Sequence, residues 1–302
     1  LPPLPRERPS VRLIAGTLMA MIISVILGMV LMRYISRPSA AGLVTSTIEL
    51  NSGYCFERSA RLWQRPVATA MAFGHDGTYL IYSAVPQSSD PSGLPRLYLR
   101  RLNRAEAEPI PGTEGGTAPF LSPDGKWIGF WVGSRLMKVA VEGGIPQSLG
   151  DFPRPVVPFA YGATWGADGS IIFSPYEGRG LYRISENGGE ARTLTSPDPK
   201  QMEFSHRLPF WLPNGKGILF TIMRFSFDLQ PNVAVLDAKT NKWRVLLTNA
   251  ADARYVPTGH LVFARQGVLM AIAFDIEKLD VIPPAAPVIP NVMQALNSIL
   301  SY

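Results

Sequence analysis

A short turn motif recurs along this chain at a nearly constant interval. The strings FGHDG, LSPDG, WGADG, WLPNG and VPTG end at Gly77, Gly125, Gly169, Gly215 and Gly259, at intervals of 48, 44, 46 and 44 residues. This period is typical of a four-stranded β-propeller blade, and not of ankyrin or tetratricopeptide units. A blade cannot bury both faces alone, so blades must pack around a ring. The repeat therefore predicts an all-β propeller with about five visible blades.

The residues within the motif suit tight hairpins. Asn or Asp followed by Gly accepts positive φ at both central positions, so the pairs predict type I′ turns. The pairs are Asp76 with Gly77, Asp124 with Gly125, Asp168 with Gly169, and Asn214 with Gly215. We expect their side chains to hydrogen-bond within their own turns and not to bind calcium. Each turn precedes an apolar strand-like run, so four strands per repeat are expected.

Aromatic residues occupy equivalent places around these turns, and we expect them to fill the wedges between blades. They are Phe120, Trp127, Phe130, Trp165, Phe173, Trp211 and Phe220. Trp131 and the loop 154–159 are the better candidates for exposed contacts. Residues 291–302 resemble the lead-in to a sixth blade, so the propeller, assigned to residues 46–302, is expected to be incomplete at its C-terminus.

An uncharged apolar run precedes the propeller. Residues 13–32 contain no charged side chain, and twenty helical residues match a hydrocarbon core of about 30 Å. Arginines flank the run, three before it and two after it. We therefore predict a basic, Pro-rich juxtamembrane linker over 1–12, a transmembrane helix over 13–32 and a spacer over 33–45. The slight excess of arginine before the run predicts a cytoplasmic N-terminus and an extracytoplasmic propeller.

Small residues recur every fourth position within the predicted transmembrane helix. This spacing places them along one groove, where a second helix could approach closely. The sequence thus predicts a possible helix-mediated homodimer through Gly16, Ala20, Ser24 and Gly28.

The net charge of +6 belongs mostly to the membrane-flanking segment. The first 47 residues contain five arginines and one acid, whereas the remaining 255 residues carry a net charge of only +2. Basic residues beside a membrane helix interact with anionic headgroups. The charge distribution therefore argues against a nucleic-acid partner and for a membrane one.

No motif of enzyme chemistry occurs in the chain. A GxSxG nucleophile elbow, an HExxH zinc helix, a Walker A loop and the kinase catalytic motifs are all missing from the sequence. We expect His75 and His260 to be solvated beside turns, and His206 to be buried and hydrogen-bonded. The sequence thus predicts no catalytic, metal or cofactor residues in this chain.

Four segments carry a family resemblance: GTEGGTAPFLSPDGKWIGFW (112–131), LMKVAVEGG (136–144), GLYRISENGGEARTLT (180–195) and SHRLPFWLPNGKGILF (205–220). They resemble the TolB-like, WD-repeat-like β-propeller of bacterial transmembrane serine/threonine protein kinases. In that family a cytoplasmic kinase domain precedes a Pro-rich linker, one transmembrane helix and an extracytoplasmic propeller. The SPDG turn alone is unspecific, since it occurs throughout the superfamily.

The resemblance implies a membrane-anchored sensor that binds an unknown ligand or protein and signals to a kinase domain absent from this chain. ATP and Mg²⁺ would belong only to that kinase domain. Two alternatives stay open. One is a free-standing TolB-like periplasmic scaffold, and the other is the propeller of a prolyl oligopeptidase-type hydrolase.

Overall fold

The described residues form five antiparallel sheets. The computed structural model describes residues 19–21, 24–25, 27–29, 54–56, 71–86, 93–152, 161–175, 178–225 and 230–292. The chain divides into two compact units, Leu1–Glu49 and Leu50–Tyr302, and every described strand lies in the second.

Each sheet is one blade, and its strands follow chain order. Blade 1 contains β1 (Tyr54–Phe56), β2 (Met71–Phe73), β3 (Tyr79–Pro86), β4 (Arg96–Arg101) and β5 (Glu108–Pro109). Blade 2 contains β6 (Gly116–Leu121), β7 (Trp127–Val132), β8 (Arg135–Ala140) and β9 (Gln147–Asp151). Blade 3 contains β10 (Ala163–Trp165), β11 (Ser170–Phe173), β12 (Tyr182–Ser185) and β13 (Arg192–Thr193).

Blades 4 and 5 have longer strands. Blade 4 contains β14 (Glu203–Trp211), β15 (Gly217–Arg224), β16 (Asn232–Asp237) and β17 (Trp243–Thr248), and the 3₁₀ helix Pro199–Gln201 precedes it. Blade 5 contains β18 (Ala251–Val256), β19 (His260–Arg265), β20 (Val268–Asp275) and β21 (Asp280–Ile289). In blade 1, β1 and β2 both pair with β3, so this sheet has a fifth strand. The prediction of an all-β fold with four-stranded repeats is confirmed.

The core consists of four wedges between successive blades. Along β7, Ile128 and Phe130 pack toward blade 1, while Trp131 packs toward blade 3, as alternation along a strand requires. The predicted wedge aromatics lie in these clusters, either buried or packed against them. Trp131 was expected to be exposed, and that expectation is wrong: its side chain is 1% exposed because blade 3 covers it.

The hairpin turns differ from the prediction in one respect. Gly77 has φ 69° and its N–H donates to the carbonyl oxygen of Gly74, and the other four turns repeat this bond. Asp76 does not have positive φ, and its Oδ1 accepts the N–H of Thr78 at 2.9 Å. The predicted type I′ geometry is therefore wrong. The loop is longer than two residues, so a single left-handed glycine closes it.

The apolar run before the propeller is described in part. Residues 19–21, 24–25 and 27–29 are helical, and the Ser24 hydroxyl donates to the carbonyl oxygen of Ala20 at 2.9 Å. Ala20, Ser24 and Gly28 lie on this helical segment, whereas Gly16 lies outside the described residues. Within the part of the chain that the structure describes, no helix has the length and hydropathy to cross a bilayer.

Candidate functional site

A cavity of about 610 Å³ lies where blade 3 connects to blade 4. In each antiparallel blade, the first hairpin closes at one end, and the connection to the next blade lies at the opposite end. The cavity is therefore at the end of the strands that is remote from the Asp-Gly turns. Three segments form its wall: residues 178–182 before and on β12, the connection 193–204, and Phe225 after β15.

The cavity wall contains both polar and apolar side chains. The polar lining residues are Arg179, Thr193, Thr195, Ser196 and Glu203. The apolar ones are Tyr182, Pro197, Pro199, Met202, Phe204 and Phe225. An apolar cleft with a few polar groups, within the usual range of about 300–1,000 Å³, is the general form of a small-molecule site.

A buried chain of hydrogen bonds links two polar residues of the cavity wall, Thr195 and Glu203, through His206. The Thr195 hydroxyl lies 2.7 Å from His206 Nδ1, and His206 Nε2 lies 3.2 Å from Glu203 Oε2. Glu203 Oε2 also accepts the N–H of Asp198 at 2.8 Å. Glu203 and His206 both lie on β14, the first strand of blade 4, so this strand joins the cavity wall to the blade core.

The environment of His206 determines its protonation. Its side chain is fully buried between Phe220 and Trp243. Burial lowers the pKa of His206 below its usual 6.5, although the hydrogen bond and the charge of Glu203 act in the opposite direction. The neutral ring carries one N–H. Because a carboxylate only accepts, Nε2 donates to Glu203 and Nδ1 accepts from Thr195.

The rim of the cavity contains an unusual backbone conformation. Met202 ends the 3₁₀ helix Pro199–Gln201 with φ 57°, a left-handed conformation that favours glycine. Two backbone hydrogen bonds hold it there, from its own N–H to Pro199 and from the N–H of Phe225 to its carbonyl oxygen. Its side chain is 53% exposed, so burial does not compensate for the strain.

The residues singled out in the sequence lie elsewhere. The five turns place Asp76, Asp124, Asp168 and Asn214, with the glycines that follow them and Gly259, at the other end of the strands. There Asp124 Oδ1 accepts the N–H of Lys126, and Asn214 Oδ1 accepts that of Lys216. Hydrogen bonds hold the pKa of Asp76 and of Asp124 below the usual value. These contacts close the turns.

Sequence reasoning identified only His206 among the residues around the cavity. It is buried and hydrogen-bonded, as predicted. Glu203, Met202 and Phe225 were missed because they become neighbours only when β14 pairs with β15. One available signal was the connection between β13 and β14, which is longer than the one between β5 and β6.

A scan against models of protein families finds no match, and a search of curated proteins finds no relative. Similar solved structures do occur. One is TolB from Acinetobacter baumannii, with 17% identity and a TM-score of 0.54 over 76% of this chain and 56% of that one. Another is a putative TolB from Agrobacterium tumefaciens, with 17% identity and a TM-score of 0.51 over 70% and 78%.

A third similar structure is a puromycin-hydrolyzing peptidase from Mycobacterium tuberculosis. It has 13% identity and a TM-score of 0.50 over 76% of this chain and 39% of that one. The present chain thus spans a little over half the length of the first TolB structure and less of the peptidase. At such identities the likeness concerns the fold alone, a TolB-like β-propeller, whose described residues form four blades of four strands and one of five.

Proposed function

We propose that this propeller is a non-enzymatic sensor that binds a small molecule in the cavity between blades 3 and 4. The proposal rests on one observation: exposed apolar side chains and a buried carboxylate line the same cavity. Met202 and Phe225 are 53% and 52% exposed, while the Glu203 side chain is 5% exposed. Water around exposed apolar surface is released when a ligand covers it, which favours binding.

The Thr195, His206 and Glu203 chain has the atom order of a hydrolytic triad. Its hydroxyl, however, is buried and also accepts the N–H of Leu181 at 2.9 Å. Thr113, at the equivalent place between blades 1 and 2, accepts the N–H of Leu97 in the same way without any histidine. The shared backbone bond supports a structural role for the threonine, and hence binding instead of catalysis.

The proposal extends to the rest of the chain. The uncharged run 13–32 would anchor the protein as a single-pass membrane protein, with a cytoplasmic N-terminus and an extracytoplasmic propeller. The stripe Gly16, Ala20, Ser24 and Gly28 would allow two copies to associate and pass a binding signal to a serine/threonine kinase domain outside this chain. The uncharged run and the family resemblance support this part of the proposal.

Ligand screening by thermal shift tests the binding function. The full 302-residue chain, purified in detergent, is screened against a library of small metabolites, together with Phe225→Ala and the matched control Phe73→Ala. Phe73 lies on blade 1 and is 54% exposed, so its truncation removes similar surface outside the cavity. We expect some compounds to raise the Tm of the wild type and of Phe73→Ala but not of Phe225→Ala. Stabilisation that persists in Phe225→Ala would contradict the proposed site.

Membrane topology has its own test. Protease accessibility in intact cells should remove the propeller while an N-terminal tag stays protected. Protection of the propeller, or release of the chain without detergent, would overturn the anchored orientation.

A further inference from the structure

We propose that the ligand of this cavity is a small organic cation, in which a primary ammonium group is attached to an aromatic or aliphatic body. Glu203 would pair with the ammonium group, and Phe204, Phe225 and Met202 would contact the body. This inference rests on the proposed binding function and specifies the chemistry of its ligand.

The first argument is the unequal use of the two carboxylate oxygens of Glu203. Oε2 accepts two hydrogen bonds, from the backbone N–H of Asp198 and from His206 Nε2. Among the described residues, no donor bonds to Oε1. The side chain is nineteen-twentieths buried and lines the cavity. A mostly buried carboxylate with one oxygen still able to accept is stabilised best by a charged donor, so the site favours an ammonium group.

The second argument is the aromatic wall beside that carboxylate. The rings of Phe204 and Phe225 lie 4.2 Å apart at an angle of 59°. Tyr182 lines the same cavity. Faces of aromatic rings attract cations, and the attraction grows as water is excluded. An anion in the same place would meet the negative faces of these rings and the carboxylate.

The third argument is the strained position of Met202. A glycine would adopt φ 57° without cost, yet the chain carries an exposed, flexible thioether there. Ala118, Leu208 and Leu279 share the left-handed conformation, but their side chains are buried or partly buried, unlike that of Met202. A contact with the ligand body accounts for a side chain that packing within the described residues does not require.

Arg179 also lines the cavity, and its positive charge by itself would favour an anionic ligand. Its side chain is exposed, so solvent screens its field. Glu203 is buried, where the same charge acts through a lower dielectric. The carboxylate therefore dominates inside the cavity, and a cation is favoured over an anion.

Two probes with the same phenylethyl body and opposite charges test this choice. Calorimetry on the full 302-residue chain in detergent compares 2-phenylethylamine, a cation, with 3-phenylpropanoate, an anion. We expect the amine to bind about tenfold more tightly or better, because one charge-assisted hydrogen bond is at stake. In Glu203→Gln this preference should disappear. Equal or tighter binding of the anion, or no binding of the amine to the wild type, would overturn the inference.

Two further variants distinguish a loss of ligand binding from a loss of folding. Met202→Gly relieves the strained φ and should weaken the amine several-fold while the circular-dichroism melt is retained. Phe73→Ala, outside the cavity, should leave amine binding unchanged. Unchanged binding in Met202→Gly would overturn the contact with the ligand body. If the amine fails while library compounds bind through Phe225, the ligand class is wrong and the binding function stands.

Discussion

Two junctions between blades begin alike and end differently. Between blades 1 and 2, the buried hydroxyl of Thr113 accepts the N–H of Leu97 at 3.2 Å and donates to the carbonyl oxygen of Ile110 at 2.7 Å. Between blades 3 and 4, the buried hydroxyl of Thr195 accepts the N–H of Leu181 at 2.9 Å and faces His206 at 2.7 Å. The first junction is a local turn whose hydrogen bonds stay within blade 1 and its connection. The second is hydrogen-bonded to β14, the first strand of blade 4.

The difference shows that the same buried threonine hydroxyl can belong to two kinds of junction. The threonine acceptor holds the start of β4 in the first junction and the start of β12 in the second. At Thr113 the donor returns to its own connection, so nothing further is ordered. At Thr195 the donor continues through His206 to Glu203, and this chain positions a carboxylate beside a cavity. The two junctions thus differ in the acceptor to which the threonine hydroxyl donates. A local carbonyl oxygen gives a structural turn, whereas His206 gives a candidate binding site.

Among the variants that test this difference between junctions, removal of His206 should cause the largest loss of stability. His206→Ala leaves the buried Thr195 hydroxyl without its acceptor, removes one of the two donors to Glu203 Oε2 and creates a cavity beside Phe220. We expect the free energy of unfolding to fall by about 3–5 kcal/mol. Urea denaturation measures the loss. His75→Ala is the control: it removes one hydrogen bond at an exposed turn, between the ring and the carbonyl oxygen of Ser122, and should cost no more than about 1 kcal/mol.

Removal of the two hydroxyls compares the junctions directly. Thr113→Val and Thr195→Val each leave one backbone N–H without its acceptor, at a cost of about 1–3 kcal/mol. Each variant also removes a donor, to the Ile110 carbonyl oxygen in Thr113→Val and to the fully buried His206 ring in Thr195→Val. Because the histidine ring is shielded from water, Thr195→Val should cost up to about 1 kcal/mol more. Denaturation of both variants and of the double variant measures the difference, and equal losses would mean that the bond to His206 stabilises the fold no more than the bond to Ile110.

Acidification should weaken the second junction alone. The pKa of His206 is lowered in the folded protein, so the unfolded state binds a proton first as pH falls below 6.5. Stability should therefore decrease from pH 6.5 downward, by at most about 1.4 kcal/mol per pH unit, until the folded pKa is reached. The lowered pKa of Asp76 and of Asp124 acts below 3.8, in a separate window.

Thermal melts of the wild type and His206→Gln between pH 7 and 5 measure this effect. The variant should lose the dependence, whereas His75→Gln should keep it. A wild-type Tm that does not change over this range would contradict the assigned protonation of His206.

The smallest expected effect concerns Met202. Met202→Gly should raise the free energy of unfolding by between zero and about 1 kcal/mol, because the relieved φ offsets the added flexibility of the unfolded chain. Chemical denaturation measures it. Leu208→Gly, at a partly buried left-handed position on β14, is the matched control and should destabilise. A loss at Met202 would show that its side chain stabilises the fold.

The repeat was readable because its signals are local. A glycine after aspartate, followed by an apolar strand, reports on adjacent residues only, and the five blades followed from the spacing of such signals. The turn type was mispredicted because loop length depends on strand register, which is not local. Trp131 was misplaced for a similar reason. Alternation shows that it faces away from Phe130 but not that another blade covers that face.

The chain's own residues determined the blade repeat, the aromatic wedges and a buried role for His206, because these depend on short-range patterns of turns and alternation. Only the tertiary structure decided that Thr195, Glu203, Met202 and Phe225 line one cavity. They lie on two segments, the connection 193–204 and the residue after β15, which meet because β14 pairs with β15 in the folded blade. Sequence periodicity specifies which face of a strand is buried, whereas strand register and packing specify which side chains become neighbours.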